Sequence, residues 1–101
     1  MKLYTLNATP IREGDDEQTT IEKMTTYKGV VARTLSKWGI DGFTIYEVDG
    51  YWQGEAERSF KIEIAIDKDE EVVYNVAMKL KSLYNQDSVM VTLPDNTVKF
   101  V

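Results

Sequence analysis

Apolar and polar residues alternate in several short stretches of this chain, a period typical of β-strands that bury one face. The clearest stretch is residues 59–67, whose apolar positions are Phe60, Ile62, Ile64 and Ile66. Further strands are predicted at residues 2–8, 42–52, 88–93 and 98–101. The strands at 42–52 and 59–67 would form a hairpin, with Gly54 and Glu55 near its tip.

Two other stretches place apolar residues every three or four positions, which predicts helices with one buried face. The first covers residues 21–38, with Thr19 and Glu22 as a capping box at its start and Gly39 at its end. The second runs from about residue 69 to residue 84, and its acidic first turn suits the positive end of a helix dipole. Asn85 is placed to stop this second helix.

The resulting order of elements predicts an α+β fold, a ferredoxin-like βαββαβ sandwich with an appended C-terminal strand. Two helices would cover one face of an antiparallel sheet, and residues 1–101 would form a single domain. The opposite sheet face carries a mixture of apolar and charged residues. They are Tyr46, Val48, Lys61 and Glu63. A face of this kind meets either water or another subunit, and we expect a homo-oligomer.

Residues 11–20 form a polar segment in which several carboxylates lie close together. They are Glu13, Asp15, Asp16 and Glu17. Their mutual repulsion predicts an exposed and mobile loop. A metal site is the alternative, although the calcium-loop spacing of acidic residues is absent and no metal or other cofactor is expected.

The overall composition excludes several classes of partner. The net charge is −5, so duplex nucleic acid is not an expected partner, because binding it requires Lys and Arg at the phosphates. No apolar run reaches the length of a membrane span, and no secretory leader is recognisable at the start. The chain has no cysteine, which suits a reducing compartment, and a cytoplasmic location is expected.

The chain contains neither histidine nor cysteine, which removes the commonest general base and the strongest common nucleophile. Ser–His and Cys–His arrangements are therefore impossible, and the prediction is that the protein is not an enzyme. A pair of carboxylates acting as acid and base is the remaining alternative. Its candidates are Glu47, Asp49, Glu55 and Glu57.

Binding chemistry is concentrated around the predicted hairpin. Tyr51 and Trp52 offer flat faces for stacking, while Arg58 and Lys61 could contact an anionic group. These four residues form the predicted ligand site. Neighbouring strand residues point to opposite faces, so packing against the core remains an equal interpretation of the two aromatic residues.

Short motifs in this region resemble a pattern in small phage and prophage proteins of unknown function. The matching positions are Gly42, Phe43 and Thr44, then Gly50 and Trp52, then Gln86, Asp87, Ser88 and Val89. The resemblance spans roughly residues 38–93. In layout the chain is also similar to phage proteins that counter the Thoeris immune system by sequestering nucleotide signals. The resemblance implies a phage origin and an accessory role.

Two functions follow as expectations. The first is a non-catalytic, anti-defence binding protein that sequesters a small anionic or nucleotide-like ligand between the subunits of an oligomer. The alternative is an inhibitor that occupies a basic site on a host protein, and its acidic segment would speed association.

Overall fold

The computed structural model describes the backbone of residues 1–101 and the side chains of all of them except Trp52. The strands are β1 (Lys2–Ala8), β2 (Phe43–Trp52), β3 (Glu55–Ile66), β4 (Met90–Thr92) and β5 (Val98–Phe100). The helices are α1 (Glu17–Lys37) and α2 (Glu70–Leu83). Neither helix, within these described residues, combines the length and the apolar composition that crossing a membrane requires.

The five strands form one antiparallel sheet in the order β2-β3-β1-β4-β5. Both helices pack on the same face of this sheet. The first four strands have the order of a ferredoxin-like sandwich, and β5 extends the sheet beyond β4. The predicted fold class, including the appended C-terminal strand, is therefore confirmed.

The core lies between the helix-facing side of the sheet and the two helices. Alternate residues of β1 and β3 supply one half of it, as the period of two requires. The fully buried side chains include Tyr4, Leu6, Phe60, Ile62 and Ile64 from the sheet, and Tyr27, Val31, Leu35, Val73, Val76 and Leu80 from the helices. The ring of Tyr27 lies 4.7 Å from that of Phe60, centroid to centroid, and joins α1 to β3.

Helix α1 begins at Glu17, one turn earlier than the capping box at Thr19 and Glu22 predicted. The N-cap residue is Asp16, whose Oδ1 accepts a hydrogen bond of 2.7 Å from the backbone N–H of Thr19. Aspartate is among the preferred N-cap residues, because its carboxylate satisfies an N–H group that has no partner within the helix. The predicted capping box is therefore wrong.

The segment before α1 is mostly exposed, as predicted for residues 11–20, and it makes specific contacts. Its predicted mobility stays a prediction. The carboxylate of Asp15 accepts hydrogen bonds from the backbone N–H of Arg12 at 2.9 Å and from Lys23 Nζ at 2.8 Å. The hydrogen bond from Lys23 is the main reason that the pKa of Asp15 lies below its ordinary value. Residues 17–20 belong to the helix itself.

The starts of two strands differ from the predictions. Strand β3 begins at Glu55, because β2 and β3 are joined by a two-residue turn at Gln53 and Gly54, both with positive φ. Strand β4 is shorter than predicted and begins at Met90. Val89 still exchanges two backbone hydrogen bonds with Val101, so the pairing continues past the end of β5.

Replacing Asp16 by alanine should lower the melting temperature at pH 7 by roughly 4–8 °C, because α1 loses its N-cap. Hydrogen bonds from Thr19 hold the pKa of Asp16 below its ordinary value. The stabilisation is therefore present above the unfolded-state pKa and is lost as pH falls through the folded-state pKa. Thermal denaturation followed by circular dichroism between pH 7 and pH 3 measures both effects.

Asp41→Ala is the matched control, because Asp41 makes no side-chain hydrogen bond in the described part of the chain and is exposed. It should change the melting temperature little at either pH. An Asp16→Ala variant that melts with the wild type at pH 7 would contradict the assignment of the cap.

Candidate functional site

The end of β1 divides the sheet into two parts. Ala8 is the last β1 residue with a partner in β3, opposite Phe60. Beyond this pair, β2 and β3 continue as a two-stranded ribbon, residues 48–59, that pairs only with itself. The chain after β1 turns towards α1 along the base of this ribbon.

Thr9 attaches this turn to the ribbon. Its buried hydroxyl donates a hydrogen bond of 2.7 Å to the carbonyl of Arg58 and accepts one of 3.1 Å from the N–H of Ile11. These two bonds fix the path of the segment that carries Arg12 and Glu13. One wall of the candidate site is thereby positioned against the ribbon.

The end of α2 supplies a second wall. Asn85 adopts a left-handed conformation with φ of 52°, and the N–H of Gln86 bonds to the carbonyl of Lys81 at 3.0 Å. This is the arrangement of a Schellman cap, which reverses the chain after the helix. The prediction that Asn85 stops the helix is confirmed, and the turn presents residues 85–88 towards the ribbon.

These walls and the ribbon enclose an open cleft of about 650 Å³. Its polar lining residues are Asn7, Thr9, Arg12, Glu13, Glu57, Ser59, Asn85, Gln86, Asp87 and Ser88. Its larger apolar lining residues are Ile11, Tyr51, Met90 and Phe100. We call this feature the β1-end cleft, and its volume is that of a site for a small ligand.

The β1-end cleft has an uneven balance of charge. Three of its lining side chains are the carboxylates of Glu13, Glu57 and Asp87, and its one lining cation is Arg12. All four are exposed, so solvent and salt weaken their fields. The Oε1 atom of Gln86 is buried and has no hydrogen-bond partner among the described residues.

Two aromatic side chains lie at the cleft with most of their surface free. Tyr51 is 73% exposed and Phe100 is 67% exposed, although large apolar groups are normally buried on folding. Exposed rings of this kind can stack on a flat heterocycle. Tyr51 is one of the four site residues predicted from the sequence.

The other predicted site residues lie elsewhere or outside the description. Arg58 lines a smaller cleft of about 230 Å³ with Met24 and Asp49, and its Nη2 lies 3.9 Å from Glu47 Oε2. The Nζ atom of Lys61 lies 5.9 Å from the ring centre of Tyr46 on the open sheet face. Within one chain, no single cleft is therefore lined by all three of Tyr51, Arg58 and Lys61.

The side chain of Trp52 lies outside the described residues, and its predicted role stays a prediction. The prediction that the four site residues bind one ligand together also stays a prediction. The candidates for a carboxylate pair are also divided: Glu57 lines the β1-end cleft, whereas Glu47 and Asp49 line the smaller one. Among the described residues, no group of three or more acidic side chains could hold a metal ion.

Sequence reasoning missed most of the β1-end cleft. Residues 86–88 enter the predictions only through the resemblance, Asn85 only as the end of the second helix, and Glu13 only as part of the acidic segment. Arg12 and Phe100 have no predicted role in a site. The run of polar residues directly after the end of α2 was the available indication that this segment lines a site. Its proximity to the ribbon depends on the order of strands, which no local pattern encodes.

No family model matches the sequence, and no curated protein matches it. Solved structures do match over nearly the whole length. A phage SAM lyase in its apo state is 21% identical, with a TM-score of 0.67 over 99% of this chain and 87% of the lyase chain. A phage SAM lyase in complex with S-methyl-5′-thioadenosine is 18% identical, with a TM-score of 0.63 over 99% and 88% of the two chains.

A nitrogen regulatory PII-like protein from Thiomonas intermedia K12, bound to ADP, AMP and bicarbonate, is also similar. It is 17% identical, with a TM-score of 0.56 over 99% of this chain and 90% of the other. At these identities the likeness shows the fold. It is consistent with a small phage-type ferredoxin-like protein, while similarity to the Thoeris anti-defence proteins stays a prediction.

The comparisons contradict the prediction that the protein is not an enzyme. That prediction took the absence of histidine and cysteine as sufficient grounds. A phage lyase has the same fold over 99% of this chain, so the fold does accommodate catalysis. The absence of histidine and cysteine excludes only those reactions that need one of these two residues.

Proposed function

We propose that this protein is a lyase that binds S-adenosylmethionine or a related sulfonium nucleoside in the β1-end cleft. The observation that carries the proposal is the combination, in one cleft, of exposed aromatic rings with three carboxylates against one cation. Its presence in a fold that includes a phage SAM lyase supports the choice of substrate. A cleft of about 650 Å³ is large enough for a nucleoside with a short side chain.

The cleft offers a partner for each part of such a ligand. Adenine would stack on Tyr51 or Phe100, and the hydroxyls of ribose would donate hydrogen bonds to carboxylates or to side-chain amides. The sulfonium and ammonium groups would lie in the field of Glu13, Glu57 and Asp87.

This reaction needs neither a histidine nor a cysteine. The sulfonium sulfur leaves as a neutral thioether, so no general acid must protonate the leaving group. In one balanced route, an oxygen of the substrate's own carboxylate bonds to the γ-carbon as the carbon–sulfur bond breaks. The bonding electron pair passes to sulfur, giving S-methyl-5′-thioadenosine and a lactone. The protein supplies binding and orientation.

Incubation of the purified protein with S-adenosylmethionine, followed by liquid chromatography with mass detection, tests the proposal. We expect S-methyl-5′-thioadenosine to accumulate in proportion to protein concentration and well above the rate in buffer. A Tyr51→Ala preparation purified in parallel controls for contaminating enzymes. Unchanged substrate after hours, together with no heat of binding at millimolar ligand, would contradict the proposal.

The open sheet face supports the expectation of a homo-oligomer. By alternation from the buried β1 and β3 residues, Leu3 and Val98 lie on the face away from the helices, and both are exposed. Exposed apolar side chains on a sheet face favour association, because contact with a second copy removes their surface from water. We propose that this face forms contacts between copies of the chain.

Sedimentation velocity at micromolar concentration should therefore show a species larger than the 11.6 kDa monomer. Leu3→Asp should shift the population towards monomer, because it introduces a charge into the contact. Ile21→Asp is the control, since Ile21 is similarly exposed but belongs to α1. A wild-type sample that sediments only as monomer would refute the prediction.

Two predictions from the sequence remain open. Sequestration of a nucleotide signal requires that bound ligand be recovered intact, which the same chromatography measures. Inhibition of a basic host protein requires a salt-sensitive complex, which pull-down at low and high salt would detect. Recovery of no partner at either salt concentration would count against inhibition.

A further inference from the structure

We infer that the β1-end cleft selects ligands by charge: it favours nucleosides that carry a positive charge and discriminates against those that carry phosphate. The inference rests on the proposed function, because it concerns the same cleft. It assigns this selection by charge to the side chains of Glu57 and Asp87. It also replaces the expectation of an anionic ligand.

The distribution of charged side chains carries the first step. The lining of the cleft has three carboxylates and one guanidinium, a net charge of −2 at neutral pH (three negative charges and one positive). The two other cations predicted to meet a phosphate are engaged elsewhere, Arg58 near Glu47 and Lys61 over the ring of Tyr46. A phosphate group in the cleft would have Arg12 as its one lining cation and several carboxylates near it.

Neighbouring charges do not reverse this balance. Lys23 of α1 is paired with Asp15 at 2.8 Å, and Asp16 caps the helix. In the ribbon, Asp49 lies directly opposite Arg58. Lys61 lies opposite Asn7 and is the cation that reduces the negative field at that side of the cleft. The charged neighbours are therefore close to balanced and leave the net charge of the lining in place.

The expected size of the selectivity follows from the exposure of these groups. Each exposed charge pair changes a binding constant by roughly 1.5- to fivefold at moderate salt. Three carboxylates opposed by one cation should together produce about a tenfold preference for a positively charged nucleoside over one that carries phosphate. Because exposed charges are screened, that preference should shrink at high ionic strength.

The test is isothermal titration of the full chain with S-adenosylmethionine, adenosine and AMP at 20 mM and 500 mM salt, roughly a fivefold change in Debye length. At low salt we expect S-adenosylmethionine to bind about tenfold more tightly than AMP, with adenosine between them. At high salt the difference should fall to about two- to threefold.

The double variant Glu57→Gln, Asp87→Asn keeps the side-chain shapes and removes two negative charges. It should bring the affinity for AMP close to that for S-adenosylmethionine at low salt. Glu47→Gln is the control, because Glu47 lines the smaller cleft, and it should leave the ratio unchanged. Circular dichroism of each variant confirms that the fold is retained.

The outcomes separate the two proposals. Binding of adenosine and AMP as tightly as S-adenosylmethionine would overturn the charge inference and leave the binding site standing. If the double variant leaves the ratio of the affinities for S-adenosylmethionine and AMP unchanged, Glu57 and Asp87 do not cause the selectivity. That result would likewise overturn the inference. Failure of adenosine and S-adenosylmethionine to bind would overturn the proposed function and the inference together.

Discussion

Replacing Phe60 by alanine should lower the free energy of unfolding by about 3–5 kcal/mol, a large share of the stability of a domain this size. Phe60 is fully buried on β3, opposite Ala8 at the end of β1. Its ring packs on that of Tyr27, which in turn meets the ring of Tyr84 edge-on at 5.1 Å. Removing the ring leaves a cavity beside Tyr27 in the core between α1 and the sheet.

Tyr27→Phe is the matched control for this prediction. It keeps the ring of Tyr27 and removes a buried hydroxyl that has no hydrogen-bond partner among the described residues. Burial of that hydroxyl also raises the pKa of Tyr27. Because an unpaired buried polar group opposes folding, its removal should be neutral or stabilising.

Urea denaturation followed by far-ultraviolet circular dichroism measures both variants. We expect a large decrease in the free energy of unfolding for Phe60→Ala and no decrease for Tyr27→Phe. A Phe60→Ala protein within about 1 kcal/mol of the wild type would contradict the assignment of Phe60 to the core. A large loss in Tyr27→Phe would show that the hydroxyl has a partner.

Replacing Tyr51 by alanine should weaken binding of adenosine or S-adenosylmethionine by about ten- to a hundredfold. Stacking of a base on an aromatic side chain contributes about 1–3 kcal/mol, and each 1.4 kcal/mol is a factor of ten. Because Tyr51 is mostly exposed, its truncation should leave the fold intact. Titration calorimetry on the folded variant gives the affinity.

Tyr51→Phe separates stacking from hydrogen bonding by the hydroxyl. It retains the ring and should bind within about threefold of the wild type, which is the scale of one exposed hydrogen bond. Equal affinities for the wild type and Tyr51→Ala would exclude Tyr51 from the site. Equal losses in both variants would instead assign the contribution to the hydroxyl.

The fold was predictable because its strongest patterns are local and agree with one another. The apolar residues at alternate positions of β3 face the helices, and the spacing in α2 buries Val76 and Leu80. The start of α1 was missed because polar residues there fit both a loop and a first turn. Asp16 decides between them through its hydrogen bond to Thr19, a contact that exists only in the folded chain.

The candidate site was much less predictable. Its walls come from residues 12–13, 50–59 and 85–88 and from Phe100, which meet because β1 lies between β3 and β4. The predicted site is confined to the hairpin and its return strand, which include Tyr51 and exclude Asp87. Tyr51 and Lys61 alternate onto opposite faces of the paired strands, and composition does not specify that register.

The prediction against catalysis was wrong for a chemical reason. Histidine and cysteine matter where a proton must be moved or a protein nucleophile must attack. A substrate with a sulfonium leaving group and its own carboxylate needs neither. We propose that the residues of the β1-end cleft act on such a substrate by binding and orienting it.

The most direct test of the central claim is a crystal structure of the protein with S-methyl-5′-thioadenosine. The proposal predicts density for the nucleoside in the β1-end cleft, with adenine against Tyr51 or Phe100 and the thioether near Glu57 or Asp87. Density confined to the smaller cleft beside Arg58, or none at saturating ligand, would contradict it.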